Sequence, residues 1–417
     1  MTAFADPLKP GIAAPITVGV RTPRLWTRTG ATAVLISAGY LDPGNWATDL
    51  AAGARFGMRL VWVVAIATVL ALFLQQLAAR LGLGSGCDFG QLLRQRCSPL
   101  VRWSLTPPIL LALAITEVVE VLGVIVGVRL LTGLPAGASV AVAAVLLTAV
   151  LAAPAGAGRL AVYGCLSIVT VVYLAVLIRS GLQETAAGLA PRPLPPGGLP
   201  VALGIIGAIV MPHNLLLHSS LAKQLRAQDP RATDPAHART LLASTIRTSA
   251  LALLAAFVVN CSIMSITARA AGPTGGNEGI SAAYRDLAPV LGQATSVLFA
   301  LSLIAAGLAS SVTGGMAAAE SLRELVPALR LAPVARRLSC LAPAGAVCVL
   351  GLPEGTVLVW SQVVLSLVLP MVLFPLISFV SDRKLMGSLV VGRGQRTLAQ
   401  LIAAGISVLS ATAILGL

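Results

Sequence analysis

The chain has 417 residues, of which 57% are hydrophobic and 11% charged. Soluble domains carry roughly 25% charged residues, so these proportions exclude a water-facing globule, and also disorder, which needs a polar, charge-rich chain. The net charge of +14 does not mark a nucleic-acid binder, because the basic residues sit in short loops between apolar runs rather than along one stripe. An all-α polytopic membrane protein is what remains.

Residues 1–30 carry prolines and arginines without a compact apolar stretch ending at a small-residue cleavage site, so they predict a cytoplasmic segment and no cleavable signal peptide. A bilayer core of about 30 Å needs roughly 20 apolar residues per helix. Such runs fall at 31–54, 58–79, 105–131, 136–154, 160–181, 201–222, 245–270, 287–318, 333–352, 356–380 and 397–416. The fourth is short and rich in Ala and Val, and the eighth is too long for one straight span and is expected to start with an extramembrane turn. With the N-terminus in the cytoplasm, all of the 29 Lys and Arg fall on that side except Arg55, Arg59, Arg129, Arg179, Arg192, Arg269 and Arg285. That alternating bias is what the positive-inside rule requires, and it leaves the C-terminus on the far side. The six cysteines have no CxxC or other ligand spacing and read as small packing residues.

Two spans carry a helix-breaking tetrapeptide in mid-membrane: Asp42-Pro43-Gly44-Asn45 in the first and Met211-Pro212-His213-Asn214 in the sixth. Five spans separate them, and an odd number reverses direction, so 31–181 and 201–380 read as inverted repeats with 397–416 added. Proline has no N–H to reach the carbonyl four residues back. Pro43 therefore frees the carbonyl of Gly39, and Pro212 that of Ala208. Bare carbonyls in hydrocarbon cost several kcal/mol unless something satisfies them. A mid-span Asp adds about 2.5–3.5 kcal/mol on insertion scales. Two freed carbonyls, a carboxylate, an amide oxygen and a thioether meeting at the midplane would make a cation site.

DPGN in the first span paired with MPHN in the sixth resembles the Nramp family of proton-coupled divalent metal transporters, which includes bacterial manganese importers. TEVVEVLG in span 3 is similar to the family's TDLAEVIG, ALGIIGAIVMPHNLLLHS covers nearly all of span 6, and SQVVLSLVLPMVLFPL with SDRKLMG is similar to span 10 and the loop after it. The resemblance implies a LeuT-like fold, spans 1 and 6 unwound at mid-membrane, and import into the cytoplasm across a bacterial inner membrane. It implies a metal held by Asp42, Asn45, Met211 and the carbonyls of Gly39 and Ala208, joined in some states by Gln362. It implies a proton pathway through Asp42, His213, Glu117, Glu120, Arg336 and Arg337, with His218 lower in span 6. Glu117 stands where the family usually has Asp, Leu110 where many members are acidic, and GLASSVTG replaces GQSSTITG in span 8.

Mn²⁺ and Fe²⁺ accept oxygen ligands and tolerate sulfur, whereas Mg²⁺ and Ca²⁺ want oxygen alone, so Met211 is the expected discriminator. Glu117 and Glu120, at i and i+3, share one helix face and are expected to relay protons, the plain alternative being structural pairing with arginines such as Arg129. His213 beside the metal is read as tuning or relaying a proton rather than ligating. Asp49 is expected in the outer vestibule or as a cap, and His237, in the loop QDPRATDPAHAR, as a solvated side chain. Rival readings are a magnesium-type relative, a poorly coupled metal uniporter and a sodium-coupled amino-acid symporter, whose anionic substrate Asp42 would repel. An enzyme is not expected: the three histidines offer no HExxH pair. Metal ions and protons are cargo, no resident cofactor or obligatory protein partner is expected, and the chain reads as a monomer.

Overall fold

A computed structural model describes residues 39–152, 155–180, 182–271, 280, 285, 293–328 and 333–415. Among these there is no strand, and every expected span overlaps helix, the sixth as two helices; the 1–30 segment, residues 31–38 of the first span and the turn expected at the start of the eighth lie outside the described residues. The helices are α1 (Pro43–Phe56), α2 (Val61–Ser85), α3 (Phe89–Arg96), α4 (Pro99–Thr132), α5 (Ala136–Ala152), α6 (Ala155–Ser180), α7 (Leu182–Gly188), α8 (Gly198–Val210) and α9 (Pro212–Gln228). They continue as α10 (Pro235–Ala271), α11 (Gln293–Leu325), α12 (Pro333–Val349), α13 (Glu354–Val380), α14 (Arg383–Met386) and α15 (Arg393–Leu415). Seven helical stretches of the described residues are long and apolar enough to cross a membrane, or eight if the bent pair Ser167–Ile178 and Leu182–Gly188 is one span. Spans 4 and 9 are the shorter apolar helices Ala136–Val150 and Leu338–Val349.

Local chemistry explains where the helices begin and end. Asp42 caps α1, its Oδ1 accepting the Asn45 N–H at 2.8 Å, with Pro43 in the first turn where a missing N–H costs nothing. Asp88 and Gln91 form a reciprocal capping box on α3, and Ser98 with Pro99 opens α4. Gly86 and Gly133 close α2 and α4 in the left-handed conformation that suits glycine. The motif DPGN is thus a helix start.

The helices form two groups. In one, α1, α2, α8, α9 and α10 pack on one another; in the other, α4, α5, α11 and α12 do, with α13 touching both. Trp46, fully buried on α1, stacks edge-on against Tyr173 and tilts onto Phe299, with centroids 5.4 and 5.5 Å away. One end of the molecule is tied by ion pairs: Lys223 reaches Asp88 at 2.7 Å, and Glu324 takes Arg94 at 3.2 Å and the Gln91 amide at 3.0 Å. At the other end, Arg129 pairs with Glu354 at 2.7 Å. Arg129 is therefore no partner for the carboxylates of span 3.

Candidate metal site

The two breaks face each other. At Gly39, before the first, a Cβ would strike the side chain of Asn214, just past the second. At Gly44, inside the first, a Cβ would overlap the Gln362 amide and lie 3.0 Å from Asp42 Oδ2. Gly44 thus lets α13 bring Gln362 against the DPGN turn. Asp42, Asn45, Met211 and Gln362 are all buried, at 1%, 1%, 0% and 0% exposure.

Each side chain is held by a specific contact. Asn45 donates its Nδ2 to the Tyr40 carbonyl at 2.6 Å, which aims its Oδ1 away from that bond. The Oδ1 of Asn45 and the Oε1 of Gln362 are buried acceptors with no donor among the described residues. Such acceptors are costly unless paired, and a cation is the partner that suits them. Met211 ends α8 and starts α9 at φ 43°, the one positive φ of a non-glycine residue in the described chain. A side chain there costs of order 1–3 kcal/mol and persists where the surroundings over-determine it. Asn214 Nδ2 donates to Met211 Sδ at 3.2 Å, holding the thioether in place. Since Pro212 has no N–H, the Ala208 carbonyl loses its helical donor at the C-terminal, negative end of α8, an electrostatically suitable face for a cation. Among the described residues no group of three or more His, Cys, Asp and Glu could hold a metal. The donor set is instead one carboxylate, amide oxygens, carbonyls and a thioether.

The carboxylates of α4 lie in the second helix group. Glu117 Oε1 takes Arg336 Nε at 3.0 Å, Cys340 Sγ donates to its Oε2 at 3.5 Å, and Arg336 is anchored on the Gly315 carbonyl at 2.6 Å. The Glu120 carboxylate fills the space beside Gly314 on α11, where a Cβ would collide with it. Thr116 Oγ1 stands 3.3 Å from His213 Nδ1, linking α4 to α9. His218 Nδ1 contacts Gln75 Oε1 on α2. The Arg337 side chain is outside the described residues.

Two expectations are corrected. Asp49 is 1% exposed and does not line a vestibule. With the Asn260 amide turned to donate, its nitrogen lies 3.1 Å from Asp49 Oδ2. His237 is half-buried, and its Nε2 meets Asp229 Oδ2 at 2.8 Å. That bond, before any other influence, holds the Asp229 carboxyl below the usual carboxylate range. Thr116, Gln75 and Asn260 were given no role by the sequence and Cys340 only a packing one, whereas Asn214 stood within the second tetrapeptide.

Comparisons with known proteins identify the family and the fold. Residues 33–416 match the Nramp family, described as natural resistance-associated macrophage protein-like. A divalent metal cation transporter MntH of Xylella fastidiosa is 39% identical over 398 residues, covering 90% of this chain and 82% of its own. The MntH of Deinococcus radiodurans is 37% identical, covering 89% and 86%. A crystal structure of the Eremococcus coleocola manganese transporter with an aromatic bis-isothiourea compound superposes with a TM-score of 0.77 at 26% identity, covering 94% of this chain and 88% of that one. The nucleobase-cation-symport transporter Mhp1 in a closed conformation, at 14% identity and a TM-score of 0.57, shares the LeuT-like fold.

Proposed function

This chain belongs to the Nramp family, whose members are transporters rather than enzymes, and from that premise we propose that it carries divalent metal ions, Mn²⁺ and also Fe²⁺, into the cytoplasm together with protons. The observation that carries this reading is the pair of facing breaks, with Asp42 supplying charge and Asn45 Oδ1 and Gln362 Oε1 buried without donors. Asp42, Asn45, Met211 and the Gly39 and Ala208 carbonyls are the metal ligands, with Gln362 closing the shell in this arrangement. Met211 rejects Mg²⁺ and Ca²⁺, because a hard ion gains little from sulfur. The metal is cargo, and no resident cofactor is invoked.

The proton leaves Asp42 and travels by way of His213 to the α4 carboxylates, Glu120 carrying it onward while Arg336 balances Glu117. Arg337 and His218 flank that route. The first repeat spans 31–181 and the second 201–380, and the group containing α1, α8 and α9 rocks against the α4–α11 scaffold. Opening towards the cytoplasm parts the Asp88–Lys223 and Glu324–Arg94 contacts. The chain works as a monomer in a bacterial inner membrane, N-terminus inside and C-terminus outside. An inside-negative potential favours entry by about 2.3 kcal/mol per charge for each 100 mV.

Uptake of Mn²⁺ into proteoliposomes, with and without an imposed pH gradient, tests this function. Acceleration by an inward proton gradient, with acidification of the lumen that depends on Mn²⁺, is the expected outcome. Uptake indifferent to the gradient would reduce the protein to a uniporter, and no uptake would refute the proposal.

A further inference from the structure

The face opposite the Asp88–Lys223 cluster is poor in basic residues, since only seven of the 29 Lys and Arg fall in its loops or at its helix ends (Arg55, Arg59, Arg129, Arg179, Arg192, Arg269 and Arg285). Three of them nevertheless line one cavity of about 390 Å³. Arg59 sits in the turn Gly57–Leu60 after α1, Arg192 in the segment after α7, and Arg269 in the last turn of α10. The walls are firmly set: Gly57 turns the chain at φ 58°, and Gly188 lies so close to the Met58 carbonyl that a Cβ would collide with it. All three arginines are exposed. Arg269 meets Glu184 at 3.3 Å, whereas Arg59 and Arg192 have no carboxylate partner among the described residues. The cavity therefore gathers three guanidinium groups against one carboxylate, over a floor that includes Met58, Ala187 and Ala268.

Like charges brought together by three separate elements repel one another, and an anion relieves that repulsion. Guanidinium forks match the oxygens of phosphate bidentately, and a phosphate, with more oxygens than a carboxylate, can engage more than one of them at once. We infer that this cavity binds a phosphate group, presented either by the headgroup of an anionic phospholipid or by a free ion. The apolar floor and the position at the ends of membrane spans match a phosphodiester whose acyl chains run down the helix bundle. Under the orientation proposed above, that lipid belongs to the outer leaflet; the binding itself does not depend on the metal site.

Native mass spectrometry of the full chain in detergent, titrated separately with phosphatidylglycerol, phosphatidylcholine and inorganic phosphate, reads the site without reading transport. Phosphatidylglycerol is expected to bind more tightly than phosphatidylcholine, and Arg59→Gln with Arg192→Gln to raise its apparent Kd roughly twentyfold. Met58→Trp, which fills the cavity and leaves every charge, should weaken it in the same direction. Arg393→Gln with Arg396→Gln, the same charge change on the opposite face, should leave it unaltered. Displacement by millimolar inorganic phosphate would assign the site to a free ion, and resistance to it would assign the site to lipid. Equal binding of the two lipids, or undiminished phosphatidylglycerol binding by both cavity variants, would overturn the inference.

Discussion

Asp42 and Glu117 are both buried carboxylates, 1% and 2% exposed, yet their neighbourhoods are built on opposite plans. Glu117 has Arg336 on one oxygen and the Cys340 thiol on the other, and Arg336 is itself tied to the Gly315 carbonyl. Asp42 has one oxygen committed to capping α1 and no cationic partner among the described residues. Gln362 comes against the same turn, and the Oδ1 of Asn45 and the Oε1 of Gln362 are further buried acceptors without donors among the described residues. A buried charge needs a counter-charge. The second helix group supplies its own to Glu117; under the proposed function, that of Asp42 is the metal ion.

The sharpest way to break this contrast is Arg336→Ala, which strands Glu117 without its partner. It should cost about 3–5 kcal/mol of stability, read by thermal denaturation in detergent, and adding Glu117→Gln should recover most of the loss. Asp42→Asn probes the other side. Asparagine caps a helix as well as aspartate does, so melting of the metal-free protein should hardly move, while calorimetry should show Mn²⁺ affinity falling roughly hundredfold, about 3 kcal/mol. A matching loss of stability would mean that the carboxylate is structural after all.

Met211→Ala should keep Mn²⁺ transport while Ca²⁺ competes about tenfold better in an uptake assay. Met211→Gly should do the same; glycine relieves the φ 43° strain, but the emptied space of a fully buried side chain outweighs that relief, so the melting temperature should fall. Unchanged Ca²⁺ competition would remove the thioether from the selectivity mechanism. Glu120→Gln should slow Mn²⁺-driven proton entry by about tenfold and leave the Mn²⁺ affinity from calorimetry nearly intact; equal loss of both would merge the two functions.

The smallest effect belongs to the polar loop before α10. The Asp229 carboxyl is held low mainly by its bond to His237. A depressed carboxyl contributes stability above its unfolded value, and that contribution is lost as pH falls through the lowered folded value. His237→Ala should therefore lower the melting temperature slightly at neutral pH, by about a degree, with the difference closing in acid.

The two helix breaks were legible because their causes are local. Pro43 and Pro212 delete hydrogen bonds by covalent structure alone, and an acidic residue in an apolar run is conspicuous in any fold. The helix caps at Asp42, Asp88 and Ser98 are local in the same way. What could not be read was which distant group each polar side chain meets. Arg129 finds Glu354, Asp49 finds Asn260, and Glu117 finds Arg336 with Cys340. Those pairings depend on how packed helices are rotated about their axes, a property of the whole assembly. The positive φ at Met211 was hidden for a related reason, since methionine does not favour that conformation. His237 looked solvated because its loop is polar, but the turn at Pro230–Thr233 folds Asp229 back onto it.

The central claim is that a transition-metal ion sits between the two breaks. Anomalous diffraction at the manganese absorption edge from crystals grown with Mn²⁺ tests it most directly. A single strong peak is predicted within bonding distance of Asp42, Asn45 Oδ1 and Met211 Sδ, absent from Asp42→Asn crystals. Manganese bound elsewhere, or no peak between α8 and α1 in a protein that still transports the ion, would contradict the account.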